Sequence, residues 1–324
     1  MDVRFYIPES LLPSAEKRAA WEAGETITLE QAGNAATAQA WIFRTWVTLA
    51  KYGCRTELVH RLPETGAVIA CAGAIPRPWP AAPGLFLVDV VADSLPHKDG
   101  ILHIVQNAAH AARLPWSVFI PHWPQPDLVP RAKERGAKFE RVAFFGDDRN
   151  LAIELRNRAW QAELQRTTGA SFEIRRTERW HDYSDVDAVV AVRDFGGMRQ
   201  LHKPATKLYN AWIAGVPFIG GADSAYAADG KPGRDYLVAR TPSEVLRHLA
   251  ELSRSPERRG ALAAAGRNKA ENFSEEAMAR RWRQLVEETI PQRMRRRQSA
   301  PVWARRCEDF VRRRIHAIDR IFRS

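Results

Sequence analysis

Cysteine is scarce in this chain, and long apolar runs are missing. The 324 residues include three cysteines, Cys54, Cys71 and Cys307, which lie far apart and lack the spacing of metal ligands. This pattern argues against a disulfide framework or a metal site and favours reduced thiols in a cytoplasmic protein. No stretch approaches the roughly 20 consecutive apolar residues of a membrane span. The first residues also lack a basic segment followed by an apolar run, so no signal peptide is expected.

Two nucleotide-binding motifs are missing as well. No Gly-x-Gly-x-x-Gly follows an early predicted strand, which argues against a dinucleotide-dependent oxidoreductase. No Gly-x-x-x-x-Gly-Lys-Ser/Thr is present, which argues against a P-loop NTPase. What the chain does have is length and apolar content: 45% of its residues are hydrophobic, enough for two domains of ordinary size.

Positive charge is concentrated at one end of the chain. The formal net charge is +11, and residues 291–324 contain eleven arginines and three acids, a net of +8, which leaves only +3 for the rest. In this tail, apolar residues recur at intervals of three and four with arginines between them, which predicts a basic amphipathic helix. The apolar positions are Trp303, Cys307, Phe310, Val311, Ile315, Ile318, Ile321 and Phe322.

Three interpretations of this tail differ in the partner they imply. The helix could attach to an anionic membrane surface, where each basic residue near the surface contributes about 1 kcal/mol. It could instead pack on the body of the protein or on a protein partner. Nucleic-acid contact is disfavoured, because aromatic stacking platforms are absent and the basicity is confined to one end. We prefer the membrane interpretation.

The first half of the chain alternates strand and helix signals. Asn34–Gly53 predicts a helix with Ile42, Trp46 and Leu49 on one side, and short apolar runs bounded by Gly, Pro or Asp predict strands. This alternation indicates an α/β sheet. The predicted strands are Val3–Ile7, Glu57–Leu62, Ala67–Ala72, Leu85–Val91, Leu102–Gln106 and Trp116–Ile120.

A proline-rich segment separates the first series from a second one. Residues 122–130 contain three prolines within seven positions and predict a linker. We therefore expect an N-terminal domain over 1–130, a C-terminal domain over 131–290 and the tail over 291–324. In the second series, Asp148 is predicted to cap a helix over Leu151–Arg166 that stops near Gly169. Predicted strands are Val142–Phe145, Phe172–Arg175, Ala188–Val192 and Tyr236–Ala239, and further helices begin at Thr241 and Ser255.

Residues 203–221 are the most informative stretch. Pro204 suits the first position of a helix, and Gly215 suits its C-terminal end. The apolar run after Gly215, residues 216–219, predicts a buried parallel strand that ends in Gly220 and Gly221. The segment therefore predicts a helix followed at once by a strand of a parallel sheet.

Cations at the predicted start of this helix indicate an anion site. Lys203 and Lys207 carry positive charge at the positive end of the helix macrodipole, which costs a few tenths of a kcal/mol of helix stability for an exposed charge. Together with free backbone N–H groups and the hydroxyl of Thr206, they suit a diphosphate. The alternative is a solvated helix end that happens to be basic. The site interpretation is preferred because ligands bind open α/β sheets at the carboxyl ends of their strands.

The segment 203–221 resembles the nucleotide-sugar-binding half of GT-B glycosyltransferases, in which a helix runs into a Gly-Val-Pro turn and a strand. The resemblance covers about residues 141–273 and is only architectural before that. It implies two Rossmann-like domains facing across a cleft. It also implies transfer of a sugar from a nucleotide-diphosphate donor to a glycan or lipid-linked acceptor, and no bound metal or other cofactor.

The resemblance also carries donor-site residues. The loop after the first strand of the second half, with Gly146 and Arg149, is expected to approach the diphosphate, although a plain turn and helix cap explains it equally well. Gly220 and Gly221 are expected near the donor sugar or ribose. The nearby Asp223, Ser224 and Tyr226 fit an ordinary turn as well.

One family feature is missing. Many retaining GT-B enzymes carry two glutamates eight positions apart, and those positions here are His202 and Asn210. Asn210 could bind a ribose hydroxyl or hydrogen-bond within the protein, and His202 could face the sugar or phosphate. An inverting enzyme would need a general base from the first half. Candidates near predicted strand ends are Asp93, His97, Asp99 and His122, of which His97 and Asp99 are preferred; His103, inside a strand, is predicted to be structural.

We therefore predict a cytoplasmic GT-B glycosyltransferase, with His97, Asp99 and His202 as catalytic candidates. Its partners would be a nucleotide sugar, a glycan or lipid-linked acceptor and, through 291–324, an anionic membrane surface at the inner face of the cytoplasmic membrane. The competing hypothesis, kept because both acids are missing, is a non-catalytic two-domain scaffold recruited by its basic tail.

Overall fold

The computed structural model describes residues 3–25, 33–76, 82, 84–92, 94–197 and 200–321, with the backbone alone for 33–35, 177 and 316–321. Its strands are β1 Val3–Tyr6, β2 Glu57–Val59, β3 Thr65–Cys71, β4 Gly84–Val90, β5 Leu102–Val105, β6 Ser117–Phe119, β7 Arg141–Phe145, β8 Ser171–Arg175, β9 Ala188–Ala191, β10 Phe218–Gly220 and β11 Leu237–Val238. Its α-helices are α1 Ala15–Glu22, α2 Gly33–Ala38, α3 Arg44–Lys51, α4 Ala108–Ala111, α5 Arg158–Thr168, α6 Thr206–Ala214, α7 Ser224–Asp229, α8 Pro242–Arg254, α9 Pro256–Ala270, α10 Glu275–Gln284, α11 Ile290–Ser299 and α12 Val302–Ile321.

The chain divides into two compact units. The first contains Met1–His122 and Glu275–Ser324, and the second is Trp123–Ser274. This division differs from the predicted one in two places: residues 123–130 belong to the second unit, and residues 275–290 belong to the first. The C-terminal tail is likewise part of the first unit.

The first unit is built on a parallel sheet with the strand order β2-β1-β3-β4-β5-β6. The inner strands read as continuous apolar runs because both faces are covered; Val68 and Ile69 of β3, for example, have no exposed surface. All six strands predicted for this half are confirmed; five agree to within two residues at either end, and β2 ends three residues before the predicted Leu62.

The predicted helix over Asn34–Gly53 is confirmed, with one irregularity. A π-helical turn, Gln39–Phe43, lies between α2 and α3, and Gly53 ends the run with a φ of +79°. α10 also belongs to this core, because Trp282 is fully buried and lies 6.1 Å, centroid to centroid, from the ring of Phe5. This burial is the reason that residues 275–290 belong to the first unit.

The second unit contains a parallel sheet with the strand order β11-β10-β9-β7-β8. The four strands predicted outside the 203–221 segment are confirmed, as are the capped starts of α8 and α9. The hydroxyls of Thr241 and Ser255 accept hydrogen bonds from Glu244 N–H and Arg258 N–H, both at 3.1 Å.

The helix predicted from Leu151 begins later than expected. Asp147, not Asp148, accepts a hydrogen bond from Arg149 N–H, and it caps only a short 3₁₀ turn. α5 starts at Arg158, where the side chain of Asn157 accepts from Ala159 N–H at 2.7 Å. Asn is as good an N-cap as Asp, so the sequence offered an equally good start at Asn157 that was not predicted.

The helix and strand of the 203–221 segment are confirmed, but the helix start is corrected. α6 begins at Thr206 after Ala205, so Pro204 and Lys203 precede it instead of forming its first turn. Gly215 ends α6 in the left-handed conformation, with a φ of +69°, and β10 follows. α6 is held by close packing: a Cβ at Gly266 of α9 would lie 2.4 Å from the Trp212 ring.

The predicted tail helix is present but divided. α11 and α12 are separated by Ala300 and Pro301, since a residue before proline favours the extended backbone that Ala300 adopts. The side chains of Ile318, Ile321 and Phe322, which were part of the predicted apolar pattern, lie outside the described residues. In the part of the chain that the structure describes, none of the helices combines the length and hydropathy that crossing a bilayer requires.

Candidate active site

The carboxyl ends of β7, β9 and β10 meet at one edge of the second sheet. Gly146 follows β7, Arg193 comes two residues after β9, and Asp223 comes three residues after β10. α6 begins at the same edge, because it ends at Gly215 just before β10 enters the sheet. This is the edge at which open α/β sheets bind ligands.

Lys207 lies against the backbone at the end of β7. A Cβ added to Gly146 would be 3.2 Å from Lys207 Cε and 3.4 Å from Nζ, and the ammonium lies 5.3 Å from the centroid of the Phe144 ring. Gly146 has a φ of +138°, which residues with a side chain rarely adopt. The structure therefore brings together two of the predicted diphosphate-binding residues, Gly146 and Lys207.

Arg193 and Asp223 form an ion pair at the same edge of the sheet. Arg193 Nε donates to Asp223 Oδ2 at 3.1 Å, and their side chains are 11% and 4% exposed. Burial raises the pKa of the Asp223 carboxyl, while the charges of Arg193 and of Lys207 act to lower it. Both cations therefore act on one carboxylate.

Arg193 was not among the residues predicted for the site. The available signal was its position directly after the predicted strand Ala188–Val192, the same argument that singled out Gly146 after β7. Asp223 was noted only as a turn former. It does cap α7, accepting from Ala225 N–H at 2.8 Å, and its second oxygen binds Arg193.

Thr206 is the first residue of α6, and its Oγ1 is buried with no hydrogen-bond partner among the described residues. His202 and Lys203 lie in the turn before α6 and are partly buried. Lys203 N–H donates to Gln200 O at 2.9 Å, and Gln200 has a φ of +48°. The turn thus positions Lys203 three residues before the helix, whereas Lys207 lies in its first turn.

Arg149 faces solvent. Its side chain is 84% exposed and binds both carboxylate oxygens of Asp147, with Nη2 2.6 Å from Oδ2. This pairing holds the pKa of the Asp147 carboxyl well below its usual range. The structure does not bring Arg149 next to Lys207, and its role in diphosphate binding remains a prediction.

The predicted ribose and sugar residues have structural partners. Asn210 is buried, and its Oδ1 accepts from Gln125 N–H at 3.1 Å, which attaches the linker segment to α6. At Gly220, a Cβ would lie 2.7 Å from the Tyr226 ring, so packing alone requires glycine there. At Gly221 it would lie 3.2 Å from Val192 Cγ1. Both glycines lie at the carboxyl end of β10, as predicted.

In the first unit, a loop after β4 brings His97 and Asp99 together. His97 is buried; its N–H donates to Asp89 Oδ2 at 2.9 Å, and its Nδ1 lies 3.3 Å from Asp99 N–H. The other oxygen of Asp89 is 2.6 Å from His103 Nδ1, and neither of these two side chains has exposed surface. His103 therefore has the structural environment predicted for it.

The remaining base candidates lie in different environments. The Asp99 carboxylate is 11% exposed and lies 3.0 Å from Arg313 Nη2 of α12. His122 packs edge-on against Trp41, with ring centroids 4.9 Å apart. Asp93 lies outside the described residues. No three His, Cys, Asp or Glu side chains in the described ranges are grouped so as to hold a metal ion.

Comparison with known proteins identifies the fold. A family model described as glycosyl transferase-like matches residues 127–287. Among curated proteins, no sequence matches the chain. TarM of S. aureus superposes with a TM-score of 0.53 at 10% identity, over 76% of this chain and 58% of TarM. Anabaena HepE in complex with UDP superposes with a TM-score of 0.53 at 11% identity, over 89% of this chain and 100% of HepE.

A third neighbour is the pneumococcal O-GlcNAc transferase GtfA in complex with UDP and GlcNAc, with a TM-score of 0.51 at 14% identity, over 71% of this chain and 58% of GtfA. The chain thus spans somewhat under two thirds of the length of TarM and GtfA. These matches confirm the resemblance to GT-B glycosyltransferases and the α/β architecture with two parallel sheets.

Proposed function

We propose that this protein is a glycosyltransferase that uses a nucleotide-diphosphate sugar, because a family model described as glycosyl transferase-like matches residues 127–287 and the chain has the GT-B fold. The observation that carries the proposal is the position of the Lys207 ammonium against Gly146, with Arg193 following β9 at the same carboxyl edge of the second sheet.

The chemistry requires stabilisation of a departing diphosphate. When the bond between the anomeric carbon and the diphosphate oxygen breaks, negative charge develops on that oxygen. Lys207 and Arg193 supply fixed positive charge at this point. The N-terminal N–H groups of α6 and the hydroxyl of Thr206 supply further donors. In an inverting reaction, His97 or Asp99 would accept the proton of the acceptor hydroxyl.

The donor that we propose to test first is a uridine nucleotide. HepE has been crystallised with UDP and with UDP-glucose, and GtfA with UDP and GlcNAc. The proposed acceptor is a glycan or a lipid-linked glycan at the inner face of the cytoplasmic membrane, and the surface that would hold the protein there is argued in the next subsection.

A thermal-shift screen of the full chain against UDP, GDP, ADP, CMP and TDP tests the proposal. A ligand that binds only the folded protein stabilises it by about 2.7 kcal/mol at 100 times its Kd, so one nucleotide is expected to raise the Tm. Hydrolysis or transfer from the matching nucleotide sugar is then measured. A flat response to all five nucleotides would favour the non-catalytic scaffold, for which the replacement of both family acids by His202 and Asn210 is the supporting observation.

A further inference from the structure

The inner side of α12 is charged. Asp309 accepts from Arg297 of α11 at 2.8 Å and from Arg312 at 2.7 Å. Arg312 is only 2% exposed, although arginine is almost never buried unless it is paired. α12 therefore uses its ionic side to attach to the first unit.

The outer side of the same helix is apolar. Trp303 is 70% exposed, Phe310 61%, Val302 55% and Val311 45%. These four are the majority of the six large hydrophobic side chains that are exposed in the described part of the chain. Trp303, Cys307, Phe310 and Val311 follow one another at i, i+4, i+7 and i+8, so they form one continuous stripe on the helix.

The usual amphipathic pattern is thus reversed. A surface helix normally turns its apolar stripe to the core and its charges to water. Here the ion pair of Asp309 and Arg312 lies on the protein side, whereas Trp303, Phe310 and Val311 face solvent together with exposed arginines. An apolar patch that is exposed in this way marks an interaction site, because leaving it in water is unfavourable.

Charge beside the stripe indicates what covers it. Arg306 and Arg314 are exposed on α12, and Arg314 lies over the Phe310 ring at 5.3 Å from its centroid. Arg293, Arg295 and Arg296 of α11 are exposed as well. Aromatic residues flanked by arginines suit a surface of acyl chains with anionic headgroups. A two-fold contact with a second copy would bring the same arginines together, which is unfavourable.

We propose that the outward face of α12 docks on an anionic lipid surface. Trp303, Phe310 and Val311 insert at the boundary between headgroups and acyl chains, and Arg306 and Arg314 bind the headgroups. Because Arg313 contacts Asp99, the loop with the predicted catalytic residues His97 and Asp99 lies beside the docking helix. Only this last consequence, delivery of a membrane-bound acceptor to that loop, rests on the proposed function.

Flotation of the full chain with lipid vesicles tests the docking. The vesicles are phosphatidylcholine alone or phosphatidylcholine with about one third phosphatidylglycerol. We expect binding to the anionic vesicles that weakens with salt. The double variant Trp303→Ser/Phe310→Ser is expected to lose at least about tenfold in partitioning. Arg306→Gln/Arg314→Gln is expected to lose about 25-fold, since each basic residue near the surface contributes roughly fivefold.

Ile153→Ser is the matched control, because Ile153 is 70% exposed in the second unit. It is expected to leave partitioning unchanged. Cys307 offers a positional readout: it is exposed, whereas Cys54 and Cys71 are buried, so an environment-sensitive dye attaches there and its emission shifts to the blue on anionic vesicles.

Failure of the wild-type chain to bind anionic vesicles would overturn the proposal, as would equal binding by the Trp303→Ser/Phe310→Ser variant. Light scattering of the protein without vesicles tests the alternative that a second copy of the chain covers the stripe. A dimer that this variant abolishes, without vesicle binding by the wild type, would assign the stripe to self-association. Unchanged nucleotide binding in the double variant would keep this result separate from the proposed transferase activity.

Discussion

Replacing Lys207 by methionine tests the proposed site most directly. Methionine keeps the unbranched stem that packs against Gly146 and Phe144 but removes the charge. The loss to stability includes the cation–π contact, about 1 kcal/mol, which corresponds to roughly 2–4 °C in Tm for a domain of this size. We therefore expect a folded protein with a slightly lower Tm.

The expected loss in binding is much larger. A hydrogen bond to a charged group contributes about 1.5–3 kcal/mol, so the Kd for the nucleoside diphosphate should rise roughly 10- to 150-fold. Turnover should fall further, by about 10²–10³, because negative charge on the leaving oxygen grows in the transition state. Isothermal titration calorimetry measures the Kd, and release of the nucleotide from its sugar measures the turnover.

Lys133→Met is the matched control. Lys133 is exposed and precedes β7, so it lies on the chain before the strand whose far end forms the site. The Lys133→Met variant should leave the Kd for the nucleotide and the turnover unchanged. If Lys207→Met binds the nucleotide as tightly as the wild type, then the ammonium does not contact phosphate and the electrostatic argument is refuted.

Three further predictions concern stability and reactivity. Gly220→Ala should destabilise the second unit by about 1–3 kcal/mol, because its Cβ would lie 2.7 Å from the Tyr226 ring. Gly260→Ala in α9, where a Cβ would have nothing within 4 Å, should stabilise the unit by about 1 kcal/mol. Thermal unfolding of the two variants should show Tm shifts of opposite sign. Asp187 is buried, and although burial acts to raise its pKa, hydrogen bonds from Arg135, Arg131 and backbone N–H groups lower the pKa overall. The stability that Asp187 contributes is therefore complete above the usual aspartate pKa of about 3.9 and is lost as pH falls through the lower pKa of the folded state. Asp187→Asn should cost about 3–5 kcal/mol at neutral pH and flatten the acid limb of the curve of unfolding free energy against pH. Cys307 should react with maleimide in the native protein, while Cys54 and Cys71 should react only after unfolding, since burial raises the pKa of both buried thiols; mass spectrometry of the labelled chain counts the modified sites.

The sequence alone determined the strands, the caps of α8 and α9, and the proline-rich segment that separates the two series. These signals are local: an apolar run bounded by turn residues, a threonine before Pro242, or a glycine at the end of α6 acts on its immediate neighbours. The same local signals located Gly146 and Lys207 at one edge of a sheet, because the order of strand, helix and strand already fixes which ends meet.

Tertiary structure decided which side chains meet across long separations. Asn210 and Gln125, 85 positions apart, form a hydrogen bond that uses the amide oxygen predicted for a ribose. Lys51 and Glu275, 224 positions apart, form an ion pair within the first unit, to which the chain returns after the second. The periodicity of the tail likewise predicted an amphipathic helix but not its orientation. The orientation was set by packing against the preceding helix, because Arg297 of α11 pairs with Asp309 and turns that side of α12 inward, which leaves Trp303 and Phe310 exposed.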